Sequence, residues 1–376
     1  MAVNELLNKF HDIATSPKKQ LDSFLAEGKK VVACVPVYTP EEIIHSMGLV
    51  PFGTWGADVE VKEAKRYFPA FICSIMQSVL ELGMNGDYEG VSAIVIPSLC
   101  DSLKCLGQNW KYAVENIPFV PMTYPQNRNN EVGKTFTKVG YERVIKDLEN
   151  ITGAKFSEEE LSKSVKVYNK HNKAMREISK VLVDYPSITA SQRSDIFKSA
   201  YFMLKEDHTK LVNELIEELG KMPKETTSKI KVVTSGILAD NKNLLEIFDA
   251  NDIQIVADDV AHESRQYRVD APEEGNALES LAEKFANMGN CSVLYDVDKK
   301  RADYVVDLVK EYNAEGVIFV MTKFCDPEEF DYVIIKKACD AEDIMTLQIE
   351  VDRQMVNYGQ ANTAIQTFRE MLEVKI

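Results

Sequence analysis

Three of the seven cysteines stand where a predicted helix begins, and this placement gives them a chemistry that a core cysteine lacks. Cys100 and Cys325 each follow a run of apolar residues, and Cys73 opens a third helical stretch. Asp101 and Asp326, the next residues, are predicted to cap the helices that follow. Because a helix N-terminus offers unpaired N–H groups and a positive dipole end, it favours thiolate over thiol. Such a thiolate serves as a nucleophile or as a metal ligand.

These three cysteines are predicted to converge, because the ligand crevice of a doubly wound sheet lies outside the carboxyl ends of its strands. Three soft thiolates suit an iron–sulfur cluster or zinc better than magnesium or calcium. Their wide spacing argues against a zinc finger, which uses closely spaced cysteine pairs. Four residues separate Cys100 from Cys105, yet no third cysteine follows at ferredoxin spacing. The residues alone leave the choice between a cluster and zinc open.

The other candidate residues carry weaker signals. Cys34 lies inside a predicted strand, Cys339 lies in a helical stretch, and Cys291 is at best a remote counterpart of Cys73. The five histidines show no His-x-x-x-His or Cys-His pairing, so a metallohydrolase and a cysteine protease have no support. No Gly-x-Gly-x-x-Gly motif follows the first predicted strand of either half, which disfavours a dinucleotide-dependent dehydrogenase. The catalytic acid or base stays unassigned.

Alternating strands and helices are predicted to hold the cysteines in place. Residues 30–37 form an apolar strand, after which Thr39, Pro40 and Glu42 suit an N-cap, a first helical position and a capping box. The alternation typical of a parallel sheet with helices on both faces continues from there. Its further strands are predicted at 49–52, 93–96, 119–122, 230–234, 253–256 and 317–321.

Two regions of the chain resemble each other. Residues 90–101 and 316–326 both run from a glycine through an apolar strand into Cys-Asp, and Lys-Val-Val opens a strand at Lys30 and again at Lys231. The predicted fold is α/β, with two Rossmann-like lobes, each a doubly wound parallel sheet, and a helical connector. The predicted domains are an N-terminal helical segment (1–30), a first lobe (31–135), the connector (136–228) and a second lobe with a C-terminal helix (229–376).

Composition and charge exclude several classes of protein. The 376 residues are 45% hydrophobic and 27% charged, as in ordinary globular proteins. The net charge of −15 has the wrong sign for binding a phosphate backbone over the whole surface, so no nucleic acid partner is expected. Apolar runs fall far short of the roughly 20 residues of a membrane helix, and polar residues interrupt the region where a signal peptide would be apolar. We expect a cytoplasmic protein with reduced thiols.

Several short motifs occur together along the chain. They are Tyr38-Thr-Pro-Glu-Glu-Ile-Ile-His-Ser-Met-Gly48, Phe71-Ile-Cys-Ser74, Pro97-Ser-Leu-Cys-Asp101, Lys323-Phe-Cys-Asp-Pro327, Ile349-Glu-Val-Asp352 and Gly359-Gln-Ala-Asn-Thr-Ala-Ile-Gln-Thr-Phe-Arg-Glu370. Taken together, they resemble the 2-hydroxyacyl-CoA dehydratase family over essentially the whole chain, and most of all its smaller, β subunit. The resemblance implies an α/β heterodimer in which each subunit carries a [4Fe-4S] cluster. It assigns the cluster ligands here to Cys73, Cys100 and Cys325, with one iron free of cysteine.

The resemblance also implies an activity. Family members remove water from an (R)-2-hydroxyacyl-CoA to give the (E)-2-enoyl-CoA, in anaerobic amino-acid fermentation. One low-potential electron is expected to reach the thioester carbonyl and form a ketyl radical anion that expels hydroxide. A separate ATP-hydrolysing iron–sulfur activator is expected to supply this electron. Because Ala364 follows Thr363 where the family often has arginine, the partner α subunit is expected to hold most of the substrate.

Three alternative functions remain open at this point. Benzoyl-CoA reductase subunits share the family pattern and use similar clusters for a reduction. A non-catalytic cluster-binding subunit fits if the chain makes no substrate contact in the assembled enzyme. A zinc-stabilised two-lobe binding module would be colourless, whereas an iron–sulfur protein is brown and sensitive to air.

Overall fold

The computed structural model of the protein describes residues 2–375, except the side chain of Lys375. Met1 and Ile376, which belong to the predicted end segments, lie outside the described residues. The N-terminal part of the chain forms α1 (Ala2–Thr15) and α2 (Pro17–Ala26). The first lobe follows, with β1 (Val31–Cys34), α3 (Glu41–Ser46), β2 (Val50–Gly53), α4 (Ser74–Asn85), β3 (Ala93–Pro97), α5 (Asp101–Ala113) and β4 (Phe119–Met122).

A helical region and a second lobe complete the chain. The helical region contains α6 (Glu131–Thr152), α7 (Glu158–Val181), α8 (Ala190–Ser199) and α9 (Lys205–Gly220). The second lobe contains β5 (Ile230–Gly236), α10 (Lys242–Ala250), β6 (Ile253–Val260), α11 (Ala277–Asn287), α12 (Arg301–Tyr312), β7 (Gly316–Thr322), α13 (Asp326–Ala341), β8 (Met345–Val351) and α14 (Gly359–Lys375).

Each lobe is built on a four-stranded, all-parallel sheet. The strand orders are β2-β1-β3-β4 and β6-β5-β7-β8, so the two lobes share one topology. This arrangement confirms the predicted α/β fold with two Rossmann-like lobes. In each sheet the winding reverses between the two central strands, β1 and β3 or β5 and β7, and ligands bind outside the carboxyl ends at such a point.

Burial explains which strands the sequence reveals. The central strands β1, β3, β5 and β7 are almost wholly buried, as expected for parallel strands covered by helices on both faces. Their sequences are therefore nearly continuous apolar runs, and all four strands are predicted from the sequence. Strand β8 lies at the edge of its sheet and alternates apolar with polar residues. No strand was predicted there, and the structure adds it.

The start of α3 differs from the prediction. The helix begins at Glu41, with Pro40 in the N-cap position and no capping side chain. The Thr39 hydroxyl donates instead to the carbonyl of Val35 at 2.6 Å. Glu42 is buried and binds Lys284 at 2.6 Å. The expected capping box is thus wrong, because both of its polar side chains make other contacts.

The two N-terminal helices pack on different parts of the molecule: α1 packs on the helical region, whereas Leu21 of α2 belongs to the buried cluster around the first sheet. Leu7 and Phe10 of α1 share a buried cluster with Met175, Phe197 and Val212 from α7, α8 and α9. The predicted domain boundaries at 31, 136 and 229 stay predictions. Among residues 2–375, no helix combines the length and the apolar character that crossing a bilayer requires.

Candidate metal centre

Each of the three predicted cysteines occupies the residue immediately before a helix. Cys73 precedes α4, Cys100 precedes α5 and Cys325 precedes α13. Cys100 and Cys325 each stand three residues beyond the end of an equivalent central strand, β3 or β7. The cysteines themselves are therefore the N-cap residues, and the prediction that Asp101 and Asp326 cap these helices is wrong, because each aspartate is the first helical residue.

Contacts between the lobes bring the three helix starts together. The N–H of Arg353, which follows β8, donates to the hydroxyl of Ser74 at 3.0 Å, one residue after Cys73. Cys73 belongs to a buried cluster made of side chains from both lobes, and Cys100 and Cys325 both pack against this cluster. The structure thus brings together at the lobe interface the three cysteines that the sequence selects.

The Arg353 side chain also crosses from the second lobe to the first. Its guanidinium lies 3.0 Å from Asp240 in its own lobe and 3.0 Å from Asp58 in the first lobe. A further bond runs to the carbonyl of Trp55. Arg353 and Asp240 are buried, so water screens their ion pair little, whereas the Asp58 side chain is 46% exposed. Arg353 therefore holds the two lobes in register beside the cysteines.

The three thiols affect one another electrostatically. Burial raises the pKa of Cys325 well above its ordinary value, and Glu328 and then Cys73 raise it further. Burial, with a smaller effect of Cys73, raises the pKa of Cys100 to about 12. Burial also raises the pKa of Cys73, although N–H groups of α4 act in the opposite direction. Without a metal these groups are thiols, so the predicted thiolates are wrong for the protein alone. A bound cation supplies the charge that ionises them.

Behind Cys325 lies a buried network of charged residues that the sequence analysis missed. Glu328, in the first turn of α13, accepts from Arg265 at 2.9 Å, from Arg301 at 2.8 Å and from Ser292 at 2.7 Å. Both arginines also bind Asp259, whose side chain is fully buried. The backbone N–H of Glu328 donates to the carbonyl of Cys325 at 3.0 Å. The network thereby fixes the turn that carries this thiol.

The remaining cysteines do not stand at these helix starts. Cys34 and Cys339 are buried within β1 and α13. Cys291 accepts a bond from Arg265 at 3.5 Å. Cys105 lies one turn along α5 from Cys100 and accepts from Asn109 at 3.5 Å. Cys105 therefore offers a control position close to the candidate ligands.

Comparison with known proteins identifies the family. The model of the family described as 2-hydroxyglutaryl-CoA dehydratase, D-component, matches residues 36–372. The chain is 47% identical to the (R)-phenyllactyl-CoA dehydratase beta subunit of Clostridium sporogenes, over 98% of this chain and 99% of the relative. It is 41% identical to the lactoyl-CoA dehydratase subunit beta of Anaerotignum propionicum (98% and 99%) and 40% identical to the (R)-2-hydroxyglutaryl-CoA dehydratase subunit beta of Acidaminococcus fermentans (99% and 100%).

The chain belongs to the 2-hydroxyacyl-CoA dehydratase family, as its motifs predict. Within the family it groups with the β subunits of dehydratases, which are hydro-lyases, since it matches three of them over nearly its whole length.

Proposed function

We propose that this chain is the β subunit of a heterodimeric (R)-2-hydroxyacyl-CoA dehydratase and that Cys73, Cys100 and Cys325 hold a [4Fe-4S] cluster. One observation carries the proposal: three cysteines from two lobes stand at helix starts around one interface. Their sulfur atoms are the donors that iron–sulfur clusters use.

The donor set fits a cluster better than a single zinc ion. Among residues 2–375, no group of three His, Cys, Asp or Glu side chains, the three cysteines included, is arranged to hold one metal ion as the side chains stand. Three thiols that approach from separate helices suit a larger inorganic unit, and three cysteines leave one iron of a cubane without a protein thiolate. The described cysteines are all free, so no disulfide competes for these thiols. The zinc-stabilised module is therefore the weaker interpretation.

When bound, the cluster supplies one-electron chemistry at the low end of the potentials known for such centres, for electron relay or storage. The protein contributes one buried and two partly buried cysteines, together with the Glu328 network that holds Cys325 in place. One electron added to the thioester carbonyl would form a ketyl radical anion that expels hydroxide; loss of a proton from the β carbon and return of the electron would then leave the (E)-2-enoyl-CoA.

Exposed aromatic side chains beside the cysteines support association with other proteins. Phe71, two residues before Cys73, is 72% exposed, and Phe330, in α13, is 74% exposed. Large apolar side chains exposed near a functional site are typical of interaction surfaces. They suit docking of the α subunit, which would hold most of the substrate, and of an ATP-dependent iron–sulfur activator. The free thiols suit a reducing cytoplasm.

The proposed substrate is (R)-2-hydroxyisocaproyl-CoA, on the sequence resemblance. The names of the three relatives cover an aromatic, a short and an acidic acyl group, so family membership leaves the acyl chain open. The test compares water elimination from 2-hydroxyisocaproyl-, phenyllactyl-, lactoyl- and 2-hydroxyglutaryl-CoA by the activated heterodimer. A higher kcat/KM with another ester would overturn this choice of substrate while leaving the dehydratase assignment intact.

Iron and acid-labile sulfide in the anaerobically purified chain test the cluster directly. We expect about four irons per chain, as one cubane requires. Replacing Cys73, Cys100 or Cys325 by Ala should remove most of the iron and the brown colour. The matched control Cys105→Ala, one turn from Cys100, should keep them, as should the Cys34→Ala and Cys339→Ala variants. Equal iron in all six variants would contradict the ligand assignment.

Two alternatives make different predictions in the same preparation. A benzoyl-CoA reductase-type subunit would support reduction of an aromatic ring and no water elimination. A non-catalytic cluster-binding subunit would keep its iron, and an acyl-CoA carrying a photoreactive group would label only the partner in the assembled enzyme. Labelling of this chain would exclude the second alternative.

A further inference from the structure

A cavity of about 70 Å³ lies where both lobes meet the helical region. It is lined from the first lobe by the turn before α3, from the helical region by α7, and from the second lobe by the segment after β6 and by α11. None of Cys73, Cys100 and Cys325 lines it, so it is separate from the candidate metal centre. Tyrosines form much of its wall: Tyr38, Tyr124, Tyr141, Tyr168, Tyr201 and Tyr267.

One polar atom in this wall, Nδ1 of His171, can only accept a hydrogen bond, because the neighbouring His208 fixes which nitrogen of His171 carries the proton. The Nε2 of His208 lies 3.0 Å from the carbonyl oxygen of Ile196, which only accepts, and 3.1 Å from the hydroxyl of Ser199, which donates its own proton to that carbonyl at 3.0 Å. This nitrogen therefore carries the proton. Burial lowers the pKa of His208 to about 3, so its Nδ1 is unprotonated and accepts from Nε2 of His171 at 3.0 Å. The neutral His171 ring therefore leaves a lone pair on Nδ1.

That lone pair has no partner among the described residues. His171 is fully buried and lines the cavity, and its ring packs edge-on against Tyr267 with 5.4 Å between the ring centres. A buried acceptor without a partner costs free energy that folded proteins avoid, usually through water or a ligand. A bound molecule that donates a hydrogen bond to His171 Nδ1 would remove this cost.

A second unpartnered group, the hydroxyl of Tyr267, belongs to the same wall. Tyr267 is 4% exposed, and its hydroxyl has no hydrogen bond of good geometry in the described chain, although the Tyr201 hydroxyl is near enough to affect its pKa. The neighbouring Tyr201 uses its own proton on the carbonyl of His262 at 2.6 Å. The Tyr267 hydroxyl can donate, whereas His171 Nδ1 can only accept.

The charges around the cavity are balanced. Glu41 pairs with Lys205 at 3.1 Å, and Glu42 pairs with Lys284 at 2.6 Å. With the histidines neutral, the wall offers no excess charge to attract an ion. At roughly 10–15 Å³ for each water molecule in this measure, the space holds about five waters or a solute of similar size.

We propose that this cavity binds a small uncharged hydroxyl compound, whose O–H donates to His171 Nδ1 and whose oxygen accepts from Tyr267. Water and a short alcohol share this chemistry. The site is independent of the cluster and of the dehydratase activity.

Two crystal structures of the purified enzyme, in the form that contains its natural partner, test the proposal. Crystals grown without alcohols, glycols or glycerol should show an ordered water within hydrogen-bond distance of both His171 Nδ1 and Tyr267 Oη. Crystals exposed to 2-bromoethanol distinguish the two sources, because bromine gives an anomalous peak. A bromine peak in the cavity indicates an alcohol site, and an unchanged water indicates a water site. A dry cavity in both structures, or protein partners for both atoms, would overturn the proposal.

Thermal unfolding of the enzyme provides an independent solution test. If a bound hydroxyl accepts from Tyr267, Tyr267→Phe loses that bond and lowers the melting temperature. If the hydroxyl has no partner, the same change removes a buried unsatisfied group and leaves the melting temperature unchanged or higher. The matched control is Tyr124→Phe in the same wall, whose hydroxyl donates to the carbonyl of Tyr38 at 2.5 Å. The control should lower the melting temperature in either case. Neither readout depends on iron content or turnover, so a failure here is distinct from a failure of the dehydratase assignment.

Discussion

Removing the charge of Glu328, as Glu328→Gln, tests whether the buried network stabilises the start of α13. The side chain is 2% exposed and receives bonds from two guanidinium groups and one hydroxyl. Glutamine has nearly the same volume, but one carboxylate oxygen becomes an NH₂ group facing an arginine donor. One charge-assisted bond is lost and the others weaken.

The magnitude follows from these contacts. A hydrogen bond to a charged group contributes about 1.5–3 kcal/mol, and breaking a buried ion pair by removing one partner costs about 3–5 kcal/mol. Since glutamine keeps one acceptor, we expect the free energy of unfolding to fall by about 3 kcal/mol, at the lower end of that range. The neighbouring Glu329→Gln is the matched control, since Glu329 is exposed in the same turn and should change stability by less than about 0.5 kcal/mol.

Urea denaturation followed by circular dichroism measures both variants. Burial opposes ionisation of Glu328, but Arg265 and Arg301 outweigh it and hold the pKa of Glu328 below its ordinary value. The contribution of this carboxylate is therefore complete above its unfolded-state pKa and is lost as the pH falls through the lower folded-state pKa. The difference between wild type and Glu328→Gln should shrink below about pH 4. Equal stability of the two variants at pH 7 would refute the role given to the network.

Three further predictions concern other buried groups. Burial raises the pKa of Glu263 to about 7, so the free energy of unfolding should fall as the pH rises from about 4.5 to 7. In urea titrations over this range, Glu263→Gln should reduce that fall. Burial lowers the pKa of His262 to about 3, so stability falls as the pH drops below about 6.5, and an unchanged acid slope in His262→Gln would contradict this. Arg353→Ala should cost about 1.5–3 kcal/mol, because the buried Asp240 loses one of its two cationic partners and keeps Lys198 at 2.8 Å; calorimetry that detects no loss would refute the role of Arg353 as a link between the lobes.

The sequence predicts the placement of Cys100 and Cys325 because the signal is local. An apolar run, a cysteine and an acidic first turn are consecutive in the chain, and the carboxyl ends of parallel strands meet at one edge. Cys100 and Cys325 therefore stand where the pattern indicates. Strand β8 was not predicted, because an edge strand lacks the continuous apolar run of the central strands.

Features that depend on three-dimensional contacts could not be predicted in this way. Glu328 looks like an ordinary acidic residue of a first helical turn, and only the folded chain brings Arg265 and Arg301 to it. The prediction of thiolates was wrong for a related reason. A helix start is visible in the sequence, whereas burial, which has the larger effect on the pKa of Cys325, is not.

The packing of α1 has a consequence for protein synthesis. Its apolar face meets residues of α7 to α9, which the ribosome adds roughly 160 residues later. At about 5–20 residues per second, the interval is on the order of 10 s. During that time Leu7 and Phe10 lack these partners on the nascent chain. The first lobe can form its sheet meanwhile, so a chaperone that binds short apolar helices would protect α1 until translation has passed the connector.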